Sequence, residues 1–72
     1  MPTTTLRDLR LERGLTLEAV SLLAGLDIGT ISRVERGLNR ARPETVVRLA
    51  RGLRISARRM QAILDGPGEA GS

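Results

Sequence analysis

The sequence predicts an all-α fold, a compact arrangement of five helices. Three observations lead there. The chain has 72 residues and no Cys or His, so one small core must form without disulfides or a cysteine metal site, and helices packed on one another are the economical way to build it. Apolar residues recur at helical spacing in separate stretches, and no stretch alternates as a strand would. Most stretches have a capping residue or a proline at the front, and several have a glycine behind.

The first helix starts after Thr4 or Thr5 and runs to about Arg13, where Gly14 ends it. At 100° per residue, Leu9, Arg10 and Arg13 share the side of Leu6, while Asp8, Leu11 and Glu12 point elsewhere. Thr16 caps the second helix, and Glu18 suits its N-terminal dipole. Val20 and Ala24 form its inner stripe, and Ser21 is small enough for close helix approach. Gly25 breaks this helix, Leu26 turns inward, and Asp27 caps the third. The third helix spans about Ile28 to Arg36 and stops at Gly37. Ile31 and Val34 mark its core side with Glu35 beside them, and Gly29, Ser32, Arg33 and Arg36 lie opposite. Pro43 and Glu44 open the fourth helix, whose stripe is Val46, Leu49, Ala50 and Leu53, with Arg48 and Arg51 facing out. Ser56 caps the fifth, where Met60, Ile63 and Leu64 align. From Asp65 the sequence DGPGEAGS reads as a flexible tail. The domain is therefore set at residues 4–65 and the tail at 66–72.

Composition narrows the function. Without His, Cys, clustered acids or a phosphate-loop motif, an enzyme has almost nothing to work with, and no cofactor or metal is expected. No aromatic residue is present, which excludes stacking platforms for unpaired bases. Twelve cations face eight acids, a formal charge of +4, and every cation is Arg. Arg suits forked contacts to phosphate and guanine, although a GC-rich coding bias accounts for it equally well. With no long apolar run and no export leader, a cytoplasmic location is expected and a membrane partner is not.

Leu15 to Gly37, LTLEAVSLLAGLDIGTISRVERG, carries the function. Two short amphipathic helices meet at a tight turn, and the second shows polar and cationic residues away from its apolar stripe. That pattern is the sequence form of a helix-turn-helix reading double-stranded DNA. Several segments, in order, resemble the family of lambda repressor and Cro, also called the xenobiotic-response-element family. LRDLRLERGLT resembles its first helix and turn, TISRVERG the end of its recognition helix, and PETVVRLARGLRIS its fourth helix and the start of the fifth. The resemblance covers about Leu6 to Leu64. It implies a lambda-repressor-like domain whose third helix enters the major groove, and a pairing of Arg10 with Glu35 that locks the first helix to the third. Charges on the inner sides of two helices also need partners on physical grounds.

The sequence departs from the family in several places. Leu17 stands where relatives often have Gln, and Ala19 replaces the acid that would complete a capping box. The recognition helix opens Ile28-Gly29, where relatives often have amides or Arg, and Leu22 and Leu23 occupy usually polar positions. The candidate base contacts are Ile28, Gly29, Ser32 and Arg33. Gly29 brings no side-chain hydrogen bond, so reading rests on Ile28 against a thymine methyl, on Ser32, and on Arg33 forked onto a guanine. The candidate phosphate contacts are Thr16, Leu17 (through its backbone amide), Thr30, Arg36, Asn39, Arg40 and Arg42. The blander alternative for the arginines is solvated surface charge.

A transcriptional regulator of repressor type, a homodimer at least on DNA, follows from these expectations. The rival is an antitoxin-like module of the same fold that binds a partner protein. Its candidate patch is Leu11, Leu22 and Leu23. Leu22 lies about 160° from Val20 and should stay exposed, while Leu23 is expected to tuck against the first helix. Scattered exposed leucines are the ordinary alternative.

Overall fold

The computed structural model describes residues 5–38 and 40–65. Thr4, Asn39 and the tail expected at 66–72 lie outside the described residues. Among those described, five helices follow one another with no strand: α1 (Leu6–Glu12), α2 (Leu17–Ala24), α3 (Ile28–Glu35), α4 (Pro43–Leu53) and α5 (Ala57–Asp65).

The helix starts follow from short polar side chains. Thr5 caps α1 in a capping box, its hydroxyl accepting the Asp8 N–H at 3.0 Å and the Asp8 carboxylate accepting the Thr5 N–H at 3.3 Å. Thr16 accepts the Ala19 N–H at 3.0 Å, and Ser56 accepts the Arg59 N–H at 3.0 Å. No side chain caps α4, which relies on Pro43 in its first turn.

The core is aliphatic. Leu6 and Leu9 of α1, Val20 and Ala24 of α2, Ile31 of α3, Met60 and Ile63 of α5 close around Val46, Leu49, Ala50 and Leu53 of α4. Each large side chain so buried contributes about 1.5–3 kcal/mol. The central helix α4 packs against both α2 and α5. The backbone of α2 comes close to it at Gly52. A Cβ there would stand 3.1 Å from the Ala24 nitrogen and the Leu23 carbonyl carbon. Gly52 is thus a small residue that allows close approach of these two helices. Ser21 instead donates its hydroxyl to the Leu26 carbonyl, closing the α2–α3 turn.

Three expectations need correction. Arg13 is exposed, because α1 ends at Glu12 and the chain turns away before Arg13 can follow the inner stripe. Asp65 is the last residue of α5, its carboxylate accepting from Gln61 Nε2 at 2.9 Å. Leu23, expected to tuck against α1, is 55% exposed and lines a groove against α4.

The helix ends share one solution. After α2, Gly25 takes φ 70° and the Leu26 N–H reaches back to the Ser21 carbonyl at 3.2 Å. After α4, the Ile55 N–H reaches the Ala50 carbonyl at 3.0 Å, but Arg54 makes the turn at φ 59°. A side chain in that left-handed region costs about 1–2 kcal/mol. Arg54 is exposed. Arg54→Gly is therefore expected to raise stability by about 1 kcal/mol despite the added freedom of the unfolded chain. Thermal denaturation of the two proteins checks this.

Candidate nucleic-acid interface

The third helix is anchored by its inner face and open on the other. Ile31 is completely buried and Val34 packs against the core. On the outer side, Arg33 and Arg36 are exposed, Ile28 is 40% exposed, and Gly29 and Ser32 are half-buried. Four of the residues expected to read or grip DNA thus share one solvent-facing surface with Gly29. Arg36 is the residue at which the helix ends, before Gly37 turns at φ 73°.

A single charged contact fixes the rotation of α3. Arg10 Nε donates to Glu35 Oε2 at 2.6 Å and Nη2 donates to Oε1 at 3.3 Å. The remaining Nη1 donates to the Leu15 carbonyl at 2.9 Å. The two side chains are only 11% and 8% exposed. Among the described residues no buried side-chain nitrogen or oxygen lacks a hydrogen bond. Forked geometry and full satisfaction are the conditions under which a buried pair offsets its desolvation.

The N-terminal end of α3 is held by Asp27. Its Oδ2 accepts the Thr30 N–H at 3.0 Å and its Oδ1 accepts the Thr30 hydroxyl at 2.7 Å. The Thr30 hydroxyl hydrogen bond, then the Thr30 N–H, and more weakly the charge of Arg33 hold the Asp27 carboxyl below its ordinary value. A lowered carboxyl supports the fold above its unfolded value, and that support is lost as pH falls through the lowered one. Thr30 departs from its expected role. Its hydroxyl proton and N–H are both directed to Asp27, so it has no donor left for a phosphate.

The other expected phosphate groups flank α3 in sequence. Thr16 is exposed at the start of α2. Leu17 turns its side chain onto the core, so only its backbone N–H remains relevant to an anion. Arg40 and Arg42 are exposed on the loop after α3, where Ala41 between them packs inward. Asn39 lies outside the described residues.

The apolar surface takes a different form from the one expected. Leu22 is 86% exposed and Leu23 is 55% exposed. They line a groove with Val47, Glu44, Arg48 and Arg51 of α4. Leu11 is exposed but is not part of that groove. Arg48, on the outward face of α4, donates to the Gly25 carbonyl at 3.2 Å and ties the helix-turn-helix turn to α4.

Comparison with known proteins agrees with this architecture. The helix-turn-helix family of xenobiotic-response-element and lambda-repressor-like proteins matches residues 6–60. The chain belongs to that family, and its five helices are consistent with the lambda-repressor-like fold. No curated protein and no solved structure gives a match. Among the described residues, no helix is long and apolar enough to cross a membrane.

The buried pair makes a sharp expectation. Glu35→Ala leaves the Arg10 guanidinium near the core without its acceptor, a change that typically costs about 3–5 kcal/mol. Glu35→Gln retains one acceptor oxygen and should lose less. Thermal melts of the three proteins, with helicity as the signal, rank them wild type, Gln, Ala. An Ala variant that melts with wild type would show that the pair does not hold α3.

Proposed function

We propose that this protein binds double-stranded DNA sequence-specifically and acts as a small transcriptional regulator of repressor type. The observation that carries the proposal is the outer surface of α3. It presents Ile28, Ser32, Arg33 and Arg36 to solvent from a helix whose inner side is fixed by Ile31 and the Arg10–Glu35 pair. Family membership supports DNA as the ligand. In this proposal α3 enters the major groove, Ile28 meets a thymine methyl, and Arg33 forks onto a guanine with Ser32 beside it. Thr16, the Leu17 amide, Arg36, Arg40 and Arg42 hold phosphates on either side, with Asn39 completing the set. Thr30 is left out because its donors face Asp27. One such domain reads only a few base pairs. A homodimer on a two-fold operator supplies the rest, in the cytoplasm where the DNA lies.

A second proposal rests on the α2–α4 groove. Leu22, Leu23 and Val47 stand exposed together, with Glu44, Arg48 and Arg51 around them. An antitoxin-like partner protein, or a second copy of the chain, is the occupant to test for.

Binding is expected to weaken steeply with salt, with a slope of about −0.9 in log affinity against log salt for each phosphate neutralised. Arg40→Ala should weaken binding to all duplexes alike and make that slope shallower by about one. Fluorescence anisotropy across a salt series, on a duplex selected from a random pool, measures both. A wild-type protein that binds no duplex, or binds without salt dependence, defeats the DNA proposal.

Leu22→Glu should leave the melting temperature unchanged, because the site already faces water. It should weaken self-association or partner capture if the groove serves either. Sedimentation of the pure proteins and pull-down against wild type separate the two occupants. Identical behaviour of both proteins returns Leu22 to ordinary surface.

A further inference from the structure

We propose that Asp27 and Gly29 position Arg33 for base reading: Gly29 leaves open the space in which the Arg33 guanidinium lies toward the Asp27 carboxylate at the N-terminal end of α3. This role rests on the DNA-binding proposal above.

The geometry is specific to these three residues. A Cβ on Gly29 would stand 3.1 Å from Asp27 Oδ2 and 3.3 Å from Arg33 Nη1. The carboxylate and the guanidinium therefore converge on one empty point. Arg33 lies one turn after Gly29, and helical side chains lean toward the N-terminus, so its stem naturally runs over position 29. Its charge should nevertheless avoid that end of the helix, where the backbone dipole is positive. A carboxylate beside it offsets that repulsion. Asp27 is the helix cap and sits at that spot, and Arg33 exerts a Coulombic pull on its carboxyl. Both Asp27 oxygens already accept from Thr30, yet a carboxylate has lone pairs to spare.

The consequence is a preorganised reader. The first residues of a recognition helix are those that reach base edges. A guanidinium directed toward that end loses less side-chain freedom on binding, and its planar fork matches the two acceptors of guanine. Asp27 also sets a negative charge beside it, which disfavours a slide onto the phosphates. Gly29 thus contributes to specificity by its lack of a side chain.

The test uses a duplex selected by wild type from a random pool, together with every single-base-pair change in it. Arg33→Ala identifies the base pair that Arg33 reads. Asp27→Asn retains a good cap but removes the charge, and Gly29→Ala fills the empty point while favouring the helix. Both should lose discrimination at that same base pair by roughly ten-fold. Both should keep the salt slope, because neither residue contacts a phosphate, and both should lose discrimination at that base pair alone, which a merely structural role would not single out. In the free protein, 15N relaxation of the Arg33 Nε–H group should show restricted motion in wild type and more motion in both variants. Wild-type base profiles in Asp27→Asn and Gly29→Ala overturn the positioning role while the DNA proposal stands. So do losses spread evenly over all base pairs, or equal Arg33 motion in all three proteins. A wild type that binds no duplex overturns both proposals, and is recognised because Arg33→Ala then changes nothing.

Discussion

Arg10 is the residue on which the arrangement of the helix-turn-helix depends. It belongs to α1, yet its guanidinium reaches Glu35 of α3 and the carbonyl of Leu15 in the loop before α2. Its own carbonyl accepts the Leu15 N–H at 3.0 Å, so residues 10 and 15 clasp one another in both directions. One side chain therefore joins the end of α1, the path into α2 and the far end of α3. An apolar pair of equal volume could supply as much stability, because burying two charges has its own cost. It could not supply direction. A forked guanidinium admits one orientation of its carboxylate, and α3 is thereby held at one rotation about its axis.

The rest of the support comes from α4. Val46, Leu49, Ala50 and Leu53 form the middle of the core, and Gly52 lets the backbone of α2 rest directly on this helix. Arg48 adds a hydrogen bond to the turn at Gly25. Of the two helices of the motif, α2 is thus fixed to α4 by contact and α3 to α1 by charge. The chain has no aromatic ring to fill the space between them. Without rings to bridge wide gaps, such a core needs helices that approach closely, and Gly52 provides that approach.

Much of this was legible in the sequence because it is local. The caps at Thr5, Thr16, Asp27 and Ser56, and the inner stripes of α2, α3 and α4, follow from residue type and helical spacing. The inward placement of Arg10 follows from its step relative to Leu6. Errors began where the helix ended: Arg13 obeys the periodicity only if α1 continues, and it does not. Contacts between elements were harder to see. Nothing in the local pattern marks Gly52 as a touching point, sends Leu23 toward α4, or connects Arg48 with Gly25. The capping box of α1 had a readable signal in Thr5 and Asp8, three residues apart, that helical spacing alone does not reveal. On the candidate interface, the exposure of Arg33 and Arg36 was readable. The convergence of Arg33 and Asp27 over Gly29 was not, since it depends on the course of a long side chain.

Met60 lies at zero exposure in the face that α5 presents to α4. The chain has no Trp, Tyr or Phe, so the usual optical signals of a loosening core are missing. The thioether takes their place as a chemical witness. Peroxide reaches it only when α5 lifts away, and the sulfoxide that forms is too polar to return to an aliphatic site without loss. The rate at which the protein gains one oxygen atom at Met60 therefore counts openings of the α4–α5 contact, and each event leaves a mass that stays in the molecule as a record.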